Sequence, residues 1–556
     1  MSNYNNDIVF VPLGGLGEIG MNAALYGFGP KKSRKWILID LGVSFAGPDL
    51  VGIDLLMPDL TFIDHIRKDV LGLIITHAHE DHIGAVADLW SRLKCPVFAT
   101  PFAAGLLEVR RLNEPGAPHI PFQIVEQGAT LDLAPFSIEF IPVAHSIPES
   151  NALAIRTPAG LVLHTGDWKI DPTPIVGRPT DEARLRQLGQ EGVLALISDS
   201  TNIMRDGESP SEADVAKTLR ELVRDTQGRV VVTTFASNVA RLRSVAEAAQ
   251  ANGRSVVLVG RAMDRVVQVA RECGYLDGLP PFLSMNSYRD LPRDRIVVLA
   301  TGSQGEPRAA LARIAQNDHP EVRLSPHDRV IFSSRTIPGN ERGVGEIING
   351  LITQGVEVIT DRTHLVHVSG HPRRAEVKRL YDWIKPHIAV PAHGEALHLH
   401  EHAQFARAQG VPFVIEARNG DIVSLSAEQP ACIDQIPHGT MLKDGNILIG
   451  MRDEAIAMRQ KLAFSGIVSV GIAITPKGEL AGDPDVVFAG IPAKTRSGKK
   501  TDEIIDQAIF ATLDTLPKAR KRDPDALAES VEKTVRHCLR DEWGKRPHVH
   551  VLVMVV

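Results

Sequence analysis

Leu71-Gly72-Leu73-Ile74-Ile75-Thr76 runs directly into His77-Ala78-His79-Glu80-Asp81-His82. The apolar half reads as a buried strand. In the polar half, side chains two apart in an extended loop point the same way, so His77 and His79 can bind one metal. Asp81 and His82 fall at the start of a helix expected over about Ile83–Leu93, whose apolar face is Ile83, Val86, Leu89 and Trp90, and are positioned for a second metal. Three histidines and an aspartate at these offsets set the stretch apart from a solvated loop that merely contains histidine.

Outward from this stretch, the first 170 or so residues read as short strands between glycine and proline turns: Ile8–Pro12, Trp36–Asp40, Leu71–Thr76, Val97–Thr100, Ser137–Val143, Ala152–Thr157 and Leu161–Thr165. From about Ser209 the rhythm becomes strand, loop, helix, with Val230–Thr234, Ser255–Val259, Arg295–Ala300 and Arg329–Phe332 each followed by a helical pattern. That alternation indicates a doubly wound parallel sheet. After Val356–Thr360 the chain is histidine-rich again to about Glu416, so the αβ unit reads as an insertion in a metal-binding domain. The expected division is 1–208 and 361–450 for the interrupted domain, 209–360 for the insert, 451–465 for a linker containing a helix at Glu454–Leu462, and 466–556 for a small α+β domain.

The chain has 556 residues, enough for several domains, and 61 Lys and Arg against 67 Asp and Glu give a formal charge of −6. With 44% hydrophobic and 23% charged residues it is neither a polybasic tail nor a disordered acidic chain. Charge segregated locally still leaves room for a nucleic-acid enzyme. Cys95, Cys273, Cys432 and Cys538 are far apart and form no C-x-x-C, which argues against a disulfide framework or a thiolate zinc site. The N-terminus lacks a basic and apolar leader and no stretch is long enough to span a membrane, so a cytoplasmic protein in a reducing compartment is expected.

H-x-H-x-D-H after a strand resembles the metallo-β-lactamase superfamily. Asp40, ending Trp36-Ile37-Leu38-Ile39-Asp40, matches the family's first-motif aspartate, which orients the histidine loop. His145 in Pro142-Val143-Ala144-His145-Ser146 and Asp167 in His164-Thr165-Gly166-Asp167 match its next ligands, while His164 reads as a core or supporting histidine. Ser198-Asp199-Ser200-Thr201, His367-Val368-Ser369-Gly370-His371 and Pro391-Ala392-His393-Gly394-Glu395 look like motifs A, B and C of the β-CASP group, which acts on nucleic acids. Histidine at the motif C position resembles the RNA-processing members. Phe235-Ala236-Ser237-Asn238, Thr301–Pro307 and Ser333–Glu341 look like the bacterial ribonuclease J family. The implied architecture is a metallo-β-lactamase αββα sandwich interrupted by a β-CASP insert, plus a small α+β C-terminal domain.

The resemblance implies that His77, His79 and His145 hold one metal and Asp81, His82 and His393 another, with Asp167 bridging. Two Zn²⁺ per chain suit such a nitrogen and oxygen set, and Mn²⁺ is an alternative. Such ions would activate a water for in-line attack on phosphorus. Asp199 and His371 would supply the leaving oxygen with a proton, and Asp81 is counted with them as catalytic.

Ligands gather beyond the carboxyl ends of parallel strands, which here carry Ser237, Asn238, Ser333 and Ser334. Together with His367, Val368, Ser369, Gly370 and His371 these form the expected pocket for a 5′-monophosphate on single-stranded RNA. A pocket closed at one end gives 5′→3′ exonuclease action, and the family adds some endonuclease cleavage. Phe45 would stack a base or pack in the core. The basic runs Lys31–Lys35, Arg241 with Arg243, Arg373 with Arg374, and Lys494–Lys500 are candidate RNA contacts. The resemblance also implies a homodimer or homotetramer and RNA-degradation partners. A lactonase or thioesterase would have no use for the insert, a DNA nuclease of the group is disfavoured by His393, and an inactive RNA-binding scaffold would require damaged ligand positions.

Overall fold

A computed structural model describes residues 7–113, 116–337 and 339–556, so Pro338 of the Ser333–Glu341 motif and the first six residues, used above in the reading of the N-terminus, lie outside the described residues. The chain forms two compact units, one made of the residues up to Ser44 and Met57–Gly439, the other of Phe45–Leu56 and Thr440–Val556.

In the first unit an eight-stranded sheet has the order Ala431–Gln435, Asp421–Ser424, Ile8–Gly14, Ala23–Phe28, Lys35–Ile39, Val70–Ile74, Val97–Ala99 and Phe122–Ile124. A seven-stranded sheet has the order Thr130–Leu133, Phe136–Pro142, Asn151–Thr157, Gly160–His164, Val193–Asp199, Ile388–Ala392 and Phe413–Val414. Their facing sides close one core, Phe10, Tyr26, Ile37, Ile74 and Phe98 meeting Phe136, Phe140, Leu153, Ile197 and Val390. Helices Glu182–Glu191 and Arg374–Ile384 cover the outer side of the second sheet through Leu185, Leu188, Leu380 and Ile384. Strands covered on both faces read as near-continuous apolar runs, as Trp36–Ile39 does. Ala23–Phe28 escaped the sequence reading because Gly27 interrupts it. A Cβ at Gly27 would lie 2.5 Å from the ring of Trp36, its partner on the neighbouring strand.

The insert is a five-stranded, all-parallel sheet in the order Ser255–Val259, Ile296–Ala300, Val230–Thr233, Arg329–Phe332 and Glu357–Ile359. The chain leaves Val230–Thr233 toward one edge and Arg329–Phe332 toward the other. The loops after these two adjacent strands therefore flank the switch point where such sheets bind ligands.

The helix expected over Ile83–Leu93 is two helices, Glu80–Ile83 and Val86–Leu93. The carbonyls of Asp81 and His82, which would continue a helical ladder, instead accept from the amides of Asn22 and Leu41 at 3.0 and 2.8 Å, and the Glu80 carbonyl accepts from Val43 at 3.0 Å beside its helical bond from Gly84. The loop after Asp40 thus holds the histidine stretch in place.

In the second unit, strands Asp485–Ala489, Ile467–Ile474 and His548–Val555 form a sheet with helices Thr501–Thr515 and Pro524–Trp543 packed on one face. The apolar C-terminal strand pairs in parallel with Ile467–Ile474. The stretch expected as a linker, 451–465, is helical over Glu454–Ser465 and belongs to this unit, which begins at Thr440. Phe45–Leu56, read above as metal-domain sequence, belongs there too: Leu50 and Ile53 share a core with Leu442 and Ile456. Pairing over four hundred residues leaves no trace in local periodicity. No helix among the described residues is long and apolar enough to cross a membrane.

Candidate metal centre

Asp40 ends its strand in the left-handed region, φ 59°, and is buried. Its carboxylate accepts from the Thr76 amide at 2.8 Å, the Thr76 hydroxyl at 2.7 Å and His82 Nδ1 at 2.7 Å. The Thr76 hydroxyl, already donating to Asp40, can only accept from His77 Nδ1 at 3.0 Å. His145 Nδ1 donates to the Gly370 carbonyl at 2.7 Å. Assigned from these bonds, all three imidazoles carry the proton on Nδ1 and turn the Nε2 lone pair inward.

Those lone pairs converge. His77 Nε2 and His145 Nε2 lie 3.2 and 3.0 Å from His79 Nδ1, which can donate to one of them at most. His77, His79, His145 and Asp167 form one group able to hold an ion, and Asp81, His82, Asp167 and His393 a second. Asp167 serves both with different oxygens. Oδ2 stands 3.7 and 3.6 Å from the Nε2 atoms of His77 and His145, and Oδ1 stands 3.3 Å from His82 Nε2 and 2.6 Å from His393 Nδ1. His393 Nε2 is buried without a hydrogen-bond partner, 3.4 Å from Asp81 Oδ2.

The electrostatics fit cations. Burial, with the neighbouring imidazoles, holds His77 and His145 far below the usual histidine range, and burial brings His79 down to about 4, so these ligands are neutral with lone pairs free. At His82 and His393 burial opposes charge, but Asp167 and Asp81 outweigh it and raise both, His393 to about 10. Burial also opposes the charge of Asp167, whose carboxyl is nevertheless held well below its ordinary range by His393, His82 and His371. Positive charge therefore belongs between these groups. Mutually facing lone pairs, an unpartnered buried nitrogen and a ligand set free of cysteine together make a metal site.

Asp199 and His371 border this cluster. His371 Nδ1 meets Asp199 Oδ2 at 2.7 Å, and Asp199 Oδ1 accepts from the Thr201 amide at 2.8 Å. The His371 side chain is 21% exposed, against 7% or less for His77, His82, His145, Asp167 and His393. Asp81 is likewise accessible, at 30%. Gly370 must be glycine, since a Cβ there would lie 2.5 Å from the His145 ring. Asn202, invisible in the sequence, props this loop by donating to the Ser369 hydroxyl at 2.8 Å and the His371 carbonyl at 3.1 Å. Asn22 is a second such residue, its amide 3.1 Å from His82 Nε2. His164 is in the supporting role expected, bonded to Tyr26 at 2.9 Å.

The phosphate loops need correction. The buried Ser333 hydroxyl donates to the Val366 carbonyl and is contacted by Arg241, so it is not free for a ligand. Asn238 caps helix Val239–Ala251, accepting from the Arg241 amide. Ser237 is half-buried, and Ser334 lines a separate cavity of about 300 Å³ with Phe332, Thr336 and Val344. Val368 is buried. His367 is half-buried with its Nδ1 atom buried and unpartnered, and burial with Arg241, Arg335 and Lys169 takes it down to about 3. Phe45 is 71% exposed, which removes the core-packing alternative, and it lies in the second unit.

Most of the basic runs are spent on structure. Lys31 and Lys35 pair with Asp434 and Asp69, Arg34 is buried on the Gly29 carbonyl, Arg241 pairs with buried Glu212, and Arg243 pairs with Glu247. Arg374 lies between Asp206, Glu401 and the Phe405 ring. Arg241 and Arg243 are thus not the positive surface expected of them.

Residues 22–233 match the metallo-beta-lactamase superfamily, 227–351 the beta-CASP domain of ribonuclease J, 355–416 the RNA specificity domain of Zn-dependent metallo-hydrolases, and 454–556 the ribonuclease J C-terminal domain. A protein of Sinorhizobium meliloti named ribonuclease J is 49% identical over 99% of this chain and 98% of its own length. Ribonuclease J proteins of Synechocystis and Mycolicibacterium smegmatis are 37% and 36% identical, covering 90% and 97% of this chain and 78% and 95% of their own lengths. A crystal structure of an Enterococcus faecalis protein of unknown function has the same fold over 75% of this chain and all of its own, with a TM-score of 0.53 at 16% identity.

Proposed function

Because this chain belongs to the ribonuclease J family of metal-dependent ribonucleases, we propose that it removes nucleotides from RNA in the 5′→3′ direction, preferring a 5′-monophosphate, with internal cleavage as a secondary activity in RNA maturation and decay. The observation that carries this reading is the contact between Gly370 and His145. The backbone carbonyl of the motif loop touches a metal ligand at 2.7 Å, so a terminal phosphate held by His367–Gly370 would sit beside the metal cluster.

His77, His79, His145 and Asp167 would hold one ion and Asp81, His82, His393 and Asp167 the other, Zn²⁺ or Mn²⁺. When bound, such a pair supplies Lewis acidity, lowering the pKa of water and offsetting phosphate charge. Asp40, Thr76 and the Gly370 carbonyl keep the imidazoles in the tautomer that presents Nε2. Asp199 fixes Nδ1 of His371, so that Nε2 is the atom that donates a proton to the departing 3′-oxygen. His367 stays neutral within a cationic surround and offers its unpartnered Nδ1 to the terminal phosphate.

Three RNAs identical except for a 5′-monophosphate, triphosphate or hydroxyl test the reading. Mononucleotides should appear fastest from the monophosphate. Equal rates on all three would refute the pocket, and internal fragments alone would refute the polarity.

A further inference from the structure

Of the basic runs in the sequence, Lys494–Lys500 keeps most of its charge. Lys494, Arg496 and Lys499 are exposed and make no ion pair among the described residues. They ride on a tight hairpin in which Lys494 bridges Lys500 and the Thr495 amide bonds the Lys499 carbonyl at 3.0 Å, with Gly498 in the left-handed region at φ 79°. The hairpin is tied to the end of helix Pro524–Trp543: the Arg496 amide donates to the Glu542 carbonyl at 3.2 Å and the Ser497 hydroxyl to its carboxylate at 2.9 Å.

That anchoring sets the cations beside aromatic surface. Trp543 follows Glu542, and the Lys545 ammonium lies 5.4 Å from the Trp543 ring and 4.4 Å from the ring of Phe464, which is 69% exposed. Arg546 beside it is exposed and unpaired. Of the nearby acids, Glu503 pairs with Lys500 and Asp541 with Arg540 and His537, while Glu542 takes the Ser497 hydroxyl and Asp502 the Glu503 amide. Cations spaced on a fixed backbone next to an open aromatic face form the combination that grips single-stranded nucleic acid, charge on the phosphates and rings under the bases.

We propose that the hairpin of Lys494, Arg496 and Lys499, with Phe464 and Lys545, is an RNA-docking surface of the C-terminal unit that binds the single-stranded body of long substrates. Function then divides between the two units, with chemistry in one and substrate retention in the other.

The test compares the full-length, metal-loaded enzyme with its Lys494→Glu/Arg496→Glu/Lys499→Glu variant on a 40-nucleotide and a 4-nucleotide 5′-monophosphate RNA. On the long RNA, KM should rise at least about tenfold at unchanged kcat. The slope of log KM against log salt should fall by about 2, at about 0.7 for each phosphate no longer neutralised. The short RNA should show neither change. Phe464→Ala should raise KM on the long RNA while leaving the salt slope alone. Parental KM and salt slope on the long RNA would overturn the proposal, leaving the patch to an acidic protein partner. An equal rise on both RNAs would overturn it as well, because the hairpin would then act through the catalytic unit.

Discussion

Asp199 Oδ2 and His371 Nδ1 lie 2.7 Å apart although 172 residues, the whole inserted sheet among them, separate the two in sequence. The carboxylate sits at the end of the strand paired with Ile388–Ala392, and the imidazole arrives on the loop returning from the insert. If the carboxylate serves to orient the ring, Asp199→Asn should lower turnover roughly 100-fold or more with bound metal unchanged. His371→Ala added to it should cost little further, since the pair acts as one unit. Single-turnover assays with metal analysis decide this, and additive losses would separate the two roles.

Asp40 should matter through the ligands it holds. Asp40→Ala removes the acceptor of His82 Nδ1 and of the Thr76 hydroxyl, freeing His82 and His77 to change tautomer. Metal affinity is expected to fall roughly 10- to 100-fold. Competition with a chromophoric chelator measures it, and parental affinity would mean that the loop is held by its backbone bonds to Asn22, Leu41 and Val43 alone.

The metal cluster was legible because its ligands come in short runs at strand ends, where a local pattern and the spatial site coincide. The doubly wound insert was legible from its rhythm for the same reason. The fates of Ser333 and Asn238 were not. Both have the right chemistry for a phosphate and stand at the right strand ends, yet one hydroxyl is taken by the Val366 carbonyl and one side chain by a helix cap. Whether a polar group is free depends on what packs against it from far along the chain. The same holds for Phe45–Leu56, whose partners lie beyond Thr440, and for Asn202, which carries no motif.

His402 predicts a pH effect on stability. It is buried between the Ser200 hydroxyl at 2.8 Å and Tyr381 at 3.0 Å, and burial, opposed weakly by Asp199, lowers it from 6.5 to about 4. Folded protein keeps it neutral while the unfolded chain protonates it near 6.5. Its stabilising share is therefore complete above that pH and is lost as pH falls toward 4, by up to about 3 kcal/mol. His402→Gln should melt with a shallower dependence on pH between 6.5 and 4 than the parent. Identical slopes would show that the ring is already protonated in the fold.

Arg241 and Glu212 form a fully buried pair at 2.8 Å, and the same guanidinium donates to the Ser333 carbonyl at 3.2 Å and the Val366 carbonyl at 2.7 Å. It thereby joins two strand ends of the insert to the segment that leads into His367–His371. Arg241→Met alone strands a buried carboxylate, and a loss of about 3–5 kcal/mol is expected. Adding Glu212→Leu removes that charge and should restore most of the melting temperature, because a buried pair replaced by apolar side chains is often neutral in stability. Positioning is not restored with it. The Ser333 and Val366 carbonyls lose Arg241 and keep only the hydroxyls of Thr234 and Ser333 as donors, so the double variant should keep a raised KM on 5′-monophosphate RNA, by roughly tenfold. Melting curves and steady-state kinetics on one preparation give both readings. A double variant that is stable and also parental in KM would make the pair a matter of packing, whereas a stable variant with weakened substrate binding would make Arg241 the residue that sets the pocket's geometry.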